Sequence, residues 1–175
     1  MTLGCTAPLS SSIIVQFADC YSALDEQRDV FESHRHHVFS VAYYMTGDER
    51  EAETILRETF VTTFKQHSKP SVDQLDDSLM TELHRRLSLE PVPPMEPGIA
   101  GLAGKNVRRT DMEEALWQLP PRERLCFLLR DVEGYTPVRI ASLLRTSEDE
   151  VQRTIVSSRI RLRRLLVEQQ RPADA

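Results

Sequence analysis

Residues 88–110, SLEPVPPMEPGIAGLAGKNVRRT, constrain this chain more than any other stretch. Pro91, Pro93, Pro94 and Pro97 lack the backbone donor that a helix needs, and each biases its predecessor toward extended states. Gly98, Gly101 and Gly104 loosen the second half of the stretch. The segment therefore reads as a linker, with one folded unit on either side of it.

Before the linker the apolar residues fall at helical spacing. Val30, Phe31, His34, Val38, Val41, Ala42 and Met45 make one face of a helix over residues 25–45. Thr46-Gly47-Asp48 stops it, with Gly47 as C-terminal cap. Ala52, Ile55, Leu56, Phe60 and Phe64 predict a second helix over 49–66, antiparallel to the first across so short a break. Ser68-Lys69-Pro70-Ser71 ends that helix. Leu75, Leu79, Leu83 and Leu87 then predict a third over 72–89, with acids at its start and Arg85-Arg86 at its end to suit the helix dipole. Residues 1–24 read either as a short helix capped by Ser10–Ser12 or as a partly ordered tail.

After the linker, Asp111 is the expected N-cap of a fourth helix and Glu114 its capping-box partner. Pro120-Pro121 ends it and starts a helix through Val132 that buries Leu125, Leu128, Leu129 and Val132. Gly134 terminates this helix. Thr136 caps a short helix that opens on Pro137 and buries Val138, Ile140, Ala141 and Leu144. Ser147 caps the last helix, whose inward stripe is Val151, Ile155, Leu162, Leu165 and Leu166. Two helices joined by the turn Arg145-Thr146-Ser147 make a helix-turn-helix. The expected fold is all-α: a three-helix domain (25–87), a linker (88–110) and a four-helix domain (111–169), between an N-terminal extension and a short tail (170–175).

Charge is unevenly distributed. The chain carries −5 overall, but residues 112–171 hold 11 arginines against 9 acids, so they are +2 and the remainder −7. Any attraction to phosphate must be local. Three cysteines without CxxC spacing fit a reducing cytoplasm and no disulfide framework. No apolar run is long enough for a membrane span, and no secretory signal is read at the start. The run His34-Arg35-His36-His37 does not predict a metal site: adjacent helical side chains diverge by about 100°. The expected reading is a solvated face with one half-buried histidine. No nucleophile–base pair, phosphate loop or cofactor motif is present, so an enzyme is not expected and neither is a cofactor.

Two stretches resemble the extracytoplasmic-function sigma factors of bacterial RNA polymerase. ALWQLPPRERLCFLLRDVEGYTPVRIASLL is similar to the start and first half of the family's second domain, a helix-turn-helix for the minus-35 element. VFSVAYYMTGDEREAETILRETFVTTF is similar to the helix, "GD" turn and clamp-binding helix of its first domain, which engages core polymerase and the minus-10 element. The likeness covers most of residues 28–168. It implies a sigma factor for DNA-templated transcription initiation, cytoplasmic, with core RNA polymerase, promoter DNA and an anti-sigma factor as partners. It implies polymerase contacts from Glu53, Arg57, Glu58 and Phe60, and DNA contacts from Thr136, Arg139, Gln152, Arg153, Thr154, Ser157, Arg159 and Arg163.

The chain departs from the family pattern at these surfaces. Thr54-Ile55-Leu56-Arg57-Glu58 replaces the pattern Asp-Leu-Val-Gln-Glu, Leu79 stands where a tryptophan is usual, and Asp73, Asp76 and Asp77 lie nearby. The last helix opens on Glu148-Asp149-Glu150, and Val156 and Ile160 lie off its inward stripe. An alternative implication is a sigma-like mimic that acts by binding an anti-sigma factor or the polymerase, with weak or no DNA binding.

Overall fold

The computed structural model describes residues 11–95 and 108–169. The glycines of the linker and the C-terminal tail lie outside them. Among the described residues every regular element is helical. Helix α1 spans Ser11–Thr46, α2 Glu49–Gln66 and α3 Val72–Arg86; α4 spans Arg109–Gln118, α5 Pro121–Phe127, α6 Pro137–Leu144 and α7 Glu148–Gln169. The N-terminal segment left open between helix and tail is helical from Ser11, continuous with α1.

The first three helices arise from their caps and stripes. Gly47 takes φ +72°, and the Asp48 side chain accepts from the backbone N–H of Arg50 (2.8 Å) and Glu51 (3.0 Å). Such a cap contributes about 1 kcal/mol and fixes where α2 begins. Ser71 and Gln74 form a capping box at α3. Val38, Val41, Ala42 and Met45 of α1 meet Ala52 and Ile55 of α2 and Leu75, Leu79 and Leu83 of α3 in a buried core. Helix α3 ends at Arg86 rather than Leu89, because Leu87 is already extended and donates its N–H to the Leu83 carbonyl.

Residues 87–95 run as an extended strap toward the second helical set. Arg108 caps α4, and Asp111, expected as the cap, instead occupies the third helical position and accepts from the Arg108 N–H (3.2 Å). The single helix expected over 121–132 changes pitch: residues Leu128–Val132 form a π-helical turn, closed by Glu133 N–H to Leu128 O (2.9 Å). The wider turn rotates Val132 outward, so it is 55% exposed and not buried as expected. Val138 is likewise exposed, on the outer side of α6.

The two helical sets share one hydrophobic core. Leu125, Leu128, Leu129, Ile140, Val151 and Ile155 are continuous with the core of α1–α3. A smaller cluster, Ala115, Leu116, Leu119, Leu162 and Leu166, ties α4 to the end of α7. Trp117 lies over the Gly47 turn and meets Tyr43 edge to face at 6.1 Å.

Candidate nucleic-acid interface

Helix α6 and helix α7 are set by local chemistry. Thr136 accepts from the Arg139 N–H (3.2 Å), and Pro137 occupies the first turn, where no donor is needed. Arg145 adopts φ 53°, ψ 46°, ending α6 as a left-handed cap. Ser147 then accepts from the Glu150 N–H (3.2 Å) and starts α7. Val151, Ile155, Ser158, Leu162 and Leu166 face inward. Gln152, Arg153, Val156, Arg159 and Arg163 face outward and are exposed.

The motif Pro121-Arg122-Glu123-Arg124 holds this pair of helices in place. Glu123 is buried and accepts from Arg161 Nε (2.8 Å) and from the Ser157 hydroxyl (2.8 Å), both on α7. Arg122 donates to Glu150 (2.6 Å) and to the Leu89 carbonyl of the strap (3.1 Å). Arg124 donates to the carbonyls of Met45 (2.8 Å), Trp117 (2.5 Å) and Leu119 (3.0 Å), closing the C-terminal ends of α1 and α4. Burial lowers the Arg124 pKa from its ordinary value. Three charged side chains in a row thus work as internal braces.

The expected DNA contacts separate into three groups. Gln152, Arg153 and Arg163 are exposed on the outer face of α7, where Gln152 donates to Glu148 (3.0 Å) and Arg153 to the Asp149 carbonyl (3.2 Å). Thr136, Thr154, Arg139 and Arg159 are engaged within the chain: Thr136 as a cap, Thr154 to its own helix (Glu150 O, 2.8 Å), Arg159 to Asp131 (2.5 and 3.1 Å) and Arg139 to Asp73 (2.7 Å) and Asp76 (3.0 Å). Ser157 is 2% exposed, so the expectation that it faces a groove is corrected. Its hydroxyl donates to Glu123 and accepts the Met95 N–H of the strap (2.8 Å).

Residues 109–162 match the protein-family model described as sigma-70, region 4. Helices α4 to α6 and most of α7 are thus similar to sigma-70 region 4. The likeness extends beyond them: over 159 residues the chain is 24% identical to the ECF RNA polymerase sigma factor SigE of Mycolicibacterium smegmatis, covering 81% of this chain and 62% of that protein. The chain spans about three fifths of the length of that protein. Its fold matches the sigma factor RpoE, solved in complex with the anti-sigma factor NepR from Bartonella quintana, with a TM-score of 0.62 and 15% identity over 82% of this chain and 98% of that one.

The expected polymerase contacts on α2 are also divided. Glu53 and Arg57, four residues apart, share an exposed face. Glu58 is turned toward α3, where it pairs with Arg85 and with Arg86 (2.7 Å); the Arg86 hydrogen bond holds its carboxyl below the usual range. Phe60 is 3% exposed and packs edge to face on Phe31 at 4.9 Å, so it is core and not a contact.

The second helical set meets the first through a polar cluster that no sequence pattern predicts. Asp76 of α3 is 2% exposed. It accepts from the Tyr135 hydroxyl (3.0 and 3.1 Å) and from Arg139 (3.0 Å), and His37 Nε2 lies 3.4 Å away. His37 Nδ1 is 2.8 Å from Glu133. Burial by itself would lower the His37 pKa; its bonds to Asp76 and Glu133, and their charges, outweigh that and raise it. Burial would raise Asp76, but the bonds from His37, Arg139 and Tyr135 hold it below the ordinary carboxylate value. The π-helical turn and Gly134 (φ +76°) carry Glu133 and Tyr135 toward α1 and α3. His34 and His37 are both partly buried, where one such histidine was expected, and no group of three or more side chains that could hold a metal ion occurs among the described residues.

Proposed function

We propose that the chain is a transcription initiation factor of the sigma type, which recruits core RNA polymerase and reads a minus-35-type element with α7. The observation that carries this reading is the intact region 4 scaffold with Gln152, Arg153 and Arg163 exposed on one face of α7. Amide and guanidinium side chains on an exposed helix suit base edges and phosphates of the major groove. Glu53 and Arg57 are the polymerase-facing residues, and activity requires no chemistry of the chain's own.

Duplex binding by the full chain at two salt concentrations tests it. Two phosphate contacts, from the exposed Arg153 and Arg163, give a slope of log K against log salt of about −1.8. A slope near zero contradicts a phosphate-contacting helix.

A second reading rests on Glu148 and Asp149, exposed in the first turn of α7, which repel phosphate where that end enters a groove. In it the chain is a sigma-like mimic that binds an anti-sigma factor or the polymerase and leaves DNA alone. The relative solved with an anti-sigma factor supports such a partner. Retained polymerase binding without duplex binding at low salt selects this reading.

A further inference from the structure

We propose that Arg145 is a phosphate-contacting residue of the helix-turn-helix, held in a left-handed conformation in the turn so that its guanidinium meets the DNA backbone beside the first turn of α7. The inference rests on the reading of α7 as a DNA-binding helix. Arg145 has φ 53° and ψ 46°, and it is the single residue other than glycine with positive φ among the described residues. Gly47 (φ 72°) and Gly134 (φ 76°) hold the other two such positions. A side chain in this region crowds the backbone carbonyl that follows it, a cost that glycine avoids. The turn needs the conformation, because it lets the N–H groups of Arg145 and Thr146 close α6 onto the Ser142 (3.2 Å) and Ala141 (3.0 Å) carbonyls. It does not need an arginine. The neighbours hold the strained residue in place: Leu144 is buried, the Thr146 hydroxyl donates to Glu150, and Arg122 anchors Glu150 (2.6 Å).

What the arginine adds is a charge in a particular place. Arg145 is exposed, and among the described residues its guanidinium has no hydrogen-bond or ion-pair partner. Most other arginines of α6 and α7 are engaged: Arg139 by Asp73 and Asp76, Arg153 by the Asp149 carbonyl, Arg159 by Asp131 and Arg161 by Glu123. Arg163 is exposed as well, but it lies toward the far end of α7. In a helix-turn-helix the first helix crosses the DNA backbone and the N-terminal end of the second enters the major groove. The turn between them therefore lies over the edge of the groove, where the phosphates run. Arg145 sits in that turn, just ahead of Glu148, the first residue of α7. Glu148 and Asp149 repel phosphate at this end, and the Arg145 guanidinium offsets them. Its paired N–H donors suit a phosphate, and such a contact positions the helix without reading a base.

The test is binding of the full chain to a short random-sequence duplex over a salt series, with urea denaturation of the same variants. Arg153 and Arg163 alone give a slope of log K against log salt of about −1.8, and Arg145 as a third contact steepens it to about −2.7. Arg145→Gln should return the slope to about −1.8 and weaken binding about fivefold at low salt, whereas Arg145→Lys should keep the slope. Arg145→Gly should lose the same binding while its urea midpoint rises by about 0.3 M, because the left-handed strain is gone. Arg28→Gln, an equal charge change at an exposed site of α1, should leave binding unchanged. Loss of affinity together with a gain of stability marks a strained residue kept for a contact, since a residue that only shapes the turn moves stability and leaves the salt slope alone. A wild-type slope that Arg145→Gln and Arg145→Gly both leave unaltered overturns the inference and leaves α7 as a DNA reader. A wild-type chain without salt-dependent duplex binding overturns the inference and the DNA-reading function together.

Discussion

Glu123→Gln is the substitution that best probes how helices α4–α7 are held together. The carboxylate is buried between the Arg161 guanidinium and the Ser157 hydroxyl. Removing one member of a buried ion pair costs about 3–5 kcal/mol, because the other is left desolvated. The Arg161 side chain is 24% exposed, so water recovers part of this and about 2 kcal/mol remains. With a urea slope of about 2 kcal/mol/M, the unfolding midpoint should fall by about 1 M. The pair with Arg161→Gln should be non-additive, with a coupling of about 1–2 kcal/mol. A midpoint shift under about 0.3 M, or strict additivity, refutes the view that Glu123 braces α7.

Arg124→Ala leaves the carbonyls of Met45, Trp117 and Leu119 without their shared donor. At about 1–3 kcal/mol per unsatisfied acceptor, the loss should be at least about 3 kcal/mol in urea denaturation, with Arg124→Lys recovering part. Stability should depend on pH through the Asp76 cluster. His37 is raised, so its contribution is complete below its ordinary value of 6.5 and is lost as pH rises through the higher folded value. Asp76 is lowered, so its contribution is complete above its ordinary value of 3.8 and is lost as pH falls through the folded value. The groups facing His37 are Asp76, Glu133 and Tyr135, with Arg139 and Asp73 beyond them. Melting temperature should therefore decline from pH 6 to pH 8, and His37→Gln should flatten that decline. The Cys126 thiol is fully buried, and burial pushes its pKa up to about 12. It should resist iodoacetamide at pH 8 until the chain unfolds, as read by peptide mass.

Local chemistry is legible from the sequence where neighbours in the chain decide it. The Gly47 turn, the Thr136-Pro137 start of α6 and the Ser147 cap are each made by residues within four positions of one another, and the structure has them. What depends on distant partners is not legible. Asp76 meets Arg139 across 63 positions and His37 meets Glu133 across 96, and no periodicity reports such pairs. Ser157 reads as groove-facing because it sits on the edge of the α7 stripe, where a hydroxyl suits either water or the buried Glu123 carboxylate. The family pattern points Phe60 at polymerase, although its spacing with Ile55 and Phe64 already puts it on the apolar face. The π-helical turn has no periodic signature: Val132 continues the helical stripe of α5, and only the hydrogen-bond shift at Leu128 turns it out. Asp73 and Asp76 stand out in the sequence as departures from the family. The structure supplies their partner, an arginine of the helix-turn-helix.

Whether this chain starts transcription is tested most directly by in-vitro transcription with core RNA polymerase over a promoter library. The expected result is chain-dependent transcripts from one class of promoter sharing a minus-35-type element, lost with Gln152→Ala/Arg153→Ala. A chain that binds polymerase stably yet yields no chain-dependent transcript from any promoter contradicts a sigma-type initiation factor.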